Sequence, residues 1–220
     1  MSVIPGLRRE GRPLPVIVMA DVSLSMQGEK IRSLNTGLGE MLVILRDFEA
    51  PSVSLRLSIV TFGGTVQTVV PMMDPEQVSL PRLDVDGMTP MGEALDVVRN
   101  MINDQSLIPT NSFAPTIALL SDGVPTDEWE TPLRRLLSDD RARKATRFAM
   151  AIGDDADMSM LNRFLDNPEA SVFKSNEPEK IRSFLRQVSL YSVTKAKSNP
   201  NAPPPPPDFG AADDDMMFDD

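Results

Sequence analysis

Three oxygen-bearing side chains occupy alternate positions in Asp21-Val22-Ser23-Leu24-Ser25, directly after the apolar run Pro15-Val16-Ile17-Val18-Met19-Ala20. Side chains at i, i+2 and i+4 of an extended segment point the same way. One carboxylate and two hydroxyls would then face one small volume where a buried strand emerges into a loop. That donor set suits Mg²⁺ or Mn²⁺, with Ca²⁺ also possible, because hard divalent cations take oxygen ligands and Mg²⁺ retains water. Alone the pentapeptide says little, since Asp and Ser are common in turns. Two later segments add to it. Gly87-Met88-Thr89-Pro90-Met91-Gly92 is a loop entering a helix, with Thr89 at its mouth. Ile117-Ala118-Leu119-Leu120-Ser121-Asp122-Gly123 is a second apolar strand that ends in an acid and a glycine turn.

Asp-x-Ser-x-Ser, then a Thr, then an Asp, each at a strand or loop end, resembles the metal-ion-dependent adhesion site of the von Willebrand factor A family. The resemblance covers about Leu14 to Tyr191 and fills all the ligand positions, with Asp21, Ser23, Ser25, Thr89 and Asp122. It implies that Ser23 and Ser25 bind the ion directly, that Thr89 joins when ligand is bound, and that the acids act partly through water. Ser25-Met26-Gln27-Gly28 continues the family pattern. Leu24 departs from it, standing where many relatives have Gly, and is expected to alter the rim of the site and contact a partner. Each ligand residue also has a simpler reading. Ser23 or Ser25 could cap the helix near Glu29, Thr89 could cap the next helix, and Asp122-Gly123 is a common turn pair.

Strands alternating with helices set the frame. An apolar strand at Val16–Ala20 leads into a helix over Glu29–Phe48, whose Ile31, Leu34, Leu38, Met41, Leu42 and Leu45 share one face. Val53–Phe62 and Thr65–Pro71 flank Gly63-Gly64 and read as a hairpin. A helix follows, with Pro90 in its first turn and its end near Met101. Further elements are a strand at Pro115–Leu120, a helix at Glu128–Ala145 and a strand at Arg147–Ile152. A short helix N-capped by Asp157, a short strand at Ser171–Lys174 and a helix at Glu177–Ser192 complete the series. The order predicts an α/β fold: a doubly wound, Rossmann-like, mostly parallel sheet with one antiparallel edge strand and helices on both faces. Ligands bind at the carboxyl ends of such strands, where Asp21 and Asp122 both fall.

The 220 residues fit one domain. The division expected is an arm at 1–12, an A domain at 13–194 and a Pro-rich, acidic tail at 195–220. No apolar run approaches the ~18 residues that span a bilayer, and Met1–Arg12 lacks the apolar stretch of a secretory signal. There is no Cys and no His, which excludes disulfides, thiol nucleophiles and histidine bases. A cytoplasmic location is expected. A net charge of −10 argues against a nucleic-acid partner.

Pro203–Pro207 form a stiff spacer before Asp208–Asp220. The tail reads either as a solubilising acidic segment or as a linear motif anchored by Met216, Met217 and Phe218 that docks in a basic groove. Its acids could also complete the metal shell of this or a neighbouring copy. Asp127 is a candidate partner contact or a helix N-cap. Trp129 could be core or an exposed anchor, and Asp154, Asp155 and Asp157 could line the rim.

A phosphohydrolase of the haloacid-dehalogenase type needs Asp-x-Asp, which Ser23 breaks; Lys30 is the nearest base a Ser nucleophile could use. No Walker loop occurs. The chain is therefore not expected to be an enzyme. Leu14-Pro15-Val16, Leu57-Ser58-Ile59-Val60-Thr61-Phe62 and Ser121-Asp122-Gly123-x-Pro125-Thr126-Asp127 look like the TerY-like subgroup of bacterial tellurium-resistance and stress clusters. That resemblance implies a metal-dependent scaffold acting with a Ser/Thr kinase and a phosphatase encoded nearby. It also leaves open an adaptor for a MoxR- or chelatase-type AAA+ ATPase.

Overall fold

Buried apolar strands, most of them followed by an amphipathic helix, form the centre of a six-stranded sheet. The computed structural model describes residues 11–198. The strands are β1 (Arg12–Asp21), β2 (Val53–Gly63), β3 (Thr65–Met73), β4 (Thr116–Ser121), β5 (Thr146–Ile152) and β6 (Phe173–Ser175). The helices are α1 (Glu29–Arg46), α2 (Met91–Asn103), α3 (Glu130–Ser138), α4 (Met158–Leu165) and α5 (Lys180–Lys197). The sheet order is β3-β2-β1-β4-β5-β6, parallel except for the β2–β3 hairpin at one edge. This is the doubly wound sheet expected.

Alternation along β1 divides the core in two. Leu14, Val16, Val18 and Ala20 face α1 and α5, while Ile17 and Met19 face α2, α3 and α4. Both faces are covered, so β1 is buried from Leu14 to Asp21. Chain order reverses between β1 and β4, whose Ala20 and Leu120 pair in register. The crevice beyond the carboxyl ends of these two strands is where an open α/β sheet binds ligands.

Several boundaries differ from expectation. β1 begins at Arg12, inside the expected arm; its backbone N–H donates to Ser52 O, and its guanidinium lies 4.0 Å over the Phe113 ring. α3 stops at Ser138 instead of Ala145. The Asp139 carboxylate accepts from the N–H groups of Arg141 and Ala142, a local bond that competes with helix continuation. Pro90 precedes α2 instead of lying in its first turn. Asp157 caps α4 through the Met160 N–H at 3.0 Å, as read from the sequence. α5 runs to Lys197, past the expected domain boundary at 194, because Ala196 is buried and the Lys195 ammonium donates to Ala114 O (3.0 Å) and Thr146 Oγ1 (3.2 Å). Residues 1–10 of the arm and 199–220 of the tail, with Met216, Met217 and Phe218, lie outside the described residues.

Burial lowers the Lys195 pKa to about 8. Between that value and the ordinary lysine range the folded protein sheds this proton while the unfolded chain keeps it, so stability rises with pH across about 8 to 10. Burial raises the Tyr191 pKa, which reverses the trend above pH 10. Lys195→Met is therefore expected to gain roughly 1–2 kcal/mol at pH 7, where the native state carries the buried charge. The variant should also flatten the rise between pH 8 and 10. Urea titrations across that range test both expectations, and a destabilised variant at pH 7 would refute them.

Candidate metal centre

Each side chain of the site is placed by a strand end. Asp21 closes β1 and is fully buried. Its Oδ1 accepts from the Ser23 N–H at 2.9 Å and its Oδ2 from the Ser121 hydroxyl at 2.7 Å. Burial raises its pKa, the Ser23 and Ser121 hydrogen bonds oppose that, and the nearby Asp122 charge adds to it. Asp122 follows β4. Its Oδ1 accepts from the Ser25 hydroxyl at 2.7 Å and its Oδ2 from the Lys30 ammonium at 2.6 Å.

The Ser23 and Ser25 hydroxyls are 2.9 Å apart. On an extended strand, residues two apart are separated by about 6.6 Å. The chain instead turns into a 3-10 segment at Leu24–Met26, and this turn, not strand alternation, brings the hydroxyls together. Thr89 is held by a reciprocal clamp: its N–H donates to Thr126 Oγ1 (3.1 Å), and its carbonyl accepts from the Thr126 N–H (3.0 Å). Gly123 sits between the loops. A Cβ there would lie 3.7 Å from both Ser25 Oγ and Thr89 Oγ1, so these hydroxyls share one small space. All five expected ligands therefore meet at one end of the sheet.

Gly87, at φ +53°, brings the Thr89 loop against the β2–β3 turn. A Cβ on it would come within 2.4 Å of Gly64 Cα, and its carbonyl accepts from the Leu24 N–H. Asp127 does not cap the helix that follows it. Its two oxygens accept from Gly92 N (2.9 Å) and Glu93 N (3.0 Å), closing the start of α2, whose own cap residue Pro90 offers no side-chain bond. Leu24 is exposed at the rim. Trp129 is half-buried beneath the Arg163 guanidinium, and Asp154 and Asp155 are exposed after β5.

Sequence reasoning missed Ser121 as the partner of Asp21, Thr126 as the clamp on Thr89, and Lys30 as the counter-charge of Asp122. The strand-end position of Ser121 was a usable signal; the other two contacts join segments far apart in sequence, two loops for Thr126 and Thr89, and α1 with the β4 end for Lys30 and Asp122. Two carboxylates and three hydroxyls, all hard oxygens, fit a divalent cation of the Mg²⁺ type. Among the described residues no group of three or more Asp, Glu, His or Cys offers another such site.

Comparison with known proteins agrees with this geometry. Residues 16–124 match the von Willebrand factor type A domain. This chain carries a von Willebrand factor type A domain. It is 30% identical over 161 residues to human inter-alpha-trypsin inhibitor heavy chain H6, an alignment that takes in 67% of the chain but 12% of that protein. Solved structures share the fold at lower identity. The ArnB paralog VWA2 from Sulfolobus acidocaldarius has a TM-score of 0.60 at 19% identity, over 81% of this chain and 46% of that one. A von Willebrand factor type A protein from Catenulispora acidiphila has 0.65 at 15%, over 83% and 43%. Proximal thread matrix protein 1 from the mussel byssus, solved with a zinc-occupied MIDAS motif, has 0.61 at 18%, over 82% and 48%. The chain thus spans a small part of its curated relative and less than half of each of these solved chains. Among the described residues, no helix is long and apolar enough to cross a membrane.

Proposed function

We propose that this A domain is a non-enzymatic, metal-dependent protein-interaction scaffold. It would hold Mg²⁺, with Mn²⁺, Ca²⁺ or the zinc of the mussel protein as alternatives, and bind a carboxylate offered by a partner. The observation that carries the reading is the convergence of Asp21, Ser23, Ser25, Thr89 and Asp122 at the β1–β4 crevice, with Ser25 open to solvent. Neutral hydroxyls leave a cation more electrophilic than a shell of carboxylates does, which favours an acid from outside. The sequence has no His or Cys to serve as a base or nucleophile beside the site.

The finer reading is a cytoplasmic, TerY-type scaffold of a bacterial stress or tellurium-resistance system, working with a kinase and a phosphatase. Its support is the Ser121-Asp122-Gly123-x-Pro125-Thr126-Asp127 segment. Ser121 buttresses Asp21, Thr126 clamps Thr89, and Asp127 closes α2. With Leu14-Pro15-Val16 and Leu57-Ser58-Ile59-Val60-Thr61-Phe62 it is the resemblance on which this reading rests.

Calorimetric titration with Mg²⁺ tests the central reading. Ser23→Ala/Ser25→Ala is expected to lose at least 100-fold in affinity while keeping a cooperative melt, because neither hydroxyl supports the core. Unchanged affinity in that variant would refute the assignment.

A further inference from the structure

Six large apolar side chains are exposed among the described residues: Leu24, Val43, Met88, Leu107, Val124 and Leu190. The three most exposed are Met88 at 63% and Leu24 and Val124 at 59% each. All three border the metal site. Leu24 lies between Ser23 and Ser25, Met88 directly precedes Thr89, and Val124 is two residues beyond Asp122. Their loops are tied together: Leu24 N–H donates to Gly87 O at 3.1 Å, Gly64 N–H to Met88 O at 2.9 Å, and Thr126 N–H to Thr89 O at 3.0 Å. A single exposed apolar residue is ordinary, but these three sit on adjoining, hydrogen-bonded loops around one ligand set and form an apolar collar.

Beyond this collar the face is acidic. Asp86, Glu93, Glu128 and Asp155 are exposed. The lysines on this face are engaged: Lys30 holds Asp122, and Lys174 holds Asp154.

We propose that collar and cation site form one composite socket for a partner segment that presents a single carboxylate between large apolar side chains. This rests on the carboxylate-binding reading above and adds the class of partner. The cation attracts one acid. Apolar neighbours of that acid cover Leu24, Met88 and Val124 and remove their exposed apolar surface from water. The outer acids repel further negative charge, which is negative selection against acid runs. The chain's own segment 208–220, with six Asp, belongs to the disfavoured class, although Met216, Met217 and Phe218 would suit the collar.

The test uses the full chain saturated with Mg²⁺ and three synthetic peptides, read by fluorescence polarisation. One carries a single Asp between Phe and Leu, one replaces those apolar residues by Gly, and one is the 208–220 segment. The first is expected to bind at least tenfold tighter than either other. Met88→Ser/Val124→Ser, at exposed positions, should reduce it to the level of the glycine peptide with Mg²⁺ affinity unchanged. Equal binding of the first two peptides, tightest binding of the 208–220 segment, or an indifferent collar variant would overturn the socket while leaving carboxylate binding intact. If neither acetate nor any peptide binds the Mg²⁺-loaded protein, the carboxylate reading falls and the socket with it.

Discussion

Asp21→Asn is expected to raise the melting temperature of the metal-free protein and to remove the further rise that Mg²⁺ brings. The two effects have one cause. Asp21 is fully buried, and burial holds its carboxyl above the usual carboxylate range, so its charge at pH 7 is a cost to the empty fold. Asparagine keeps the shape. Its oxygen can accept from the Ser23 N–H, and the Ser121 hydroxyl can turn to accept from the new amide. Removing the charge should gain about 1–2 kcal/mol without metal. The same charge is half of the carboxylate complement of the site, and its loss should weaken Mg²⁺ binding at least 100-fold, about 2.7 kcal/mol. A wild-type protein at 100 times its dissociation constant gains about that much from linkage, and the variant would gain almost none. Melting with Mg²⁺ and with EDTA reads both arms. A metal-free variant less stable than wild type, with its Mg²⁺ response intact, would contradict the assignment of Asp21.

Lys30→Met should move two affinities in opposite directions. Two carboxylates formally neutralise a divalent cation, which leaves little to attract a third. The Lys30 ammonium, 2.6 Å from Asp122 Oδ2, returns one positive charge to the site. Without it, Asp122 keeps only the Ser25 hydroxyl bond in the metal-free protein, and a cation is no longer repelled by a neighbouring ammonium. Mg²⁺ should then bind on the order of tenfold tighter, about 1.4 kcal/mol. The loaded site, now formally neutral, should bind acetate or an acidic peptide on the order of tenfold more weakly. Calorimetry with Mg²⁺ first and the carboxylate second separates the two. A merely structural role for Lys30 would lower both affinities together, and that result would remove it from the electrostatics of the site.

Much of the site was legible because strand ends carry their own signals. A buried run such as Val16–Ala20 can end only where polar residues begin, so Asp21 and Asp122 announced themselves as strand-end acids. Helix periodicity placed α1 within two residues of its observed end. Helix ends set by local competition were harder to read: Asp139 stops α3 by bonding to nearby amides, while the apolar pattern continues through Ala142 and Ala145. Asp127 illustrates a different limit. Its type and position announced a cap, but local sequence pointed to the following helix, and only the packing of two loops brought it to α2.

By itself the sequence determined the class of fold and singled out five oxygen-bearing side chains that the structure brings to one end of the sheet. These follow from residue type and from periods of two and 3.6 residues, which are local properties. The tertiary structure alone decided how those residues are used. Sheet order sets β1 beside β4 and so joins Asp21 to Ser121; the turn at Leu24–Met26 folds Ser23 onto Ser25; and the approach of α1 to the β4 end gives Lys30 to Asp122. The Asp21–Ser121 and Lys30–Asp122 contacts join residues roughly a hundred positions apart. Such pairings depend on which strand lies next to which, and no local pattern in the chain encodes that.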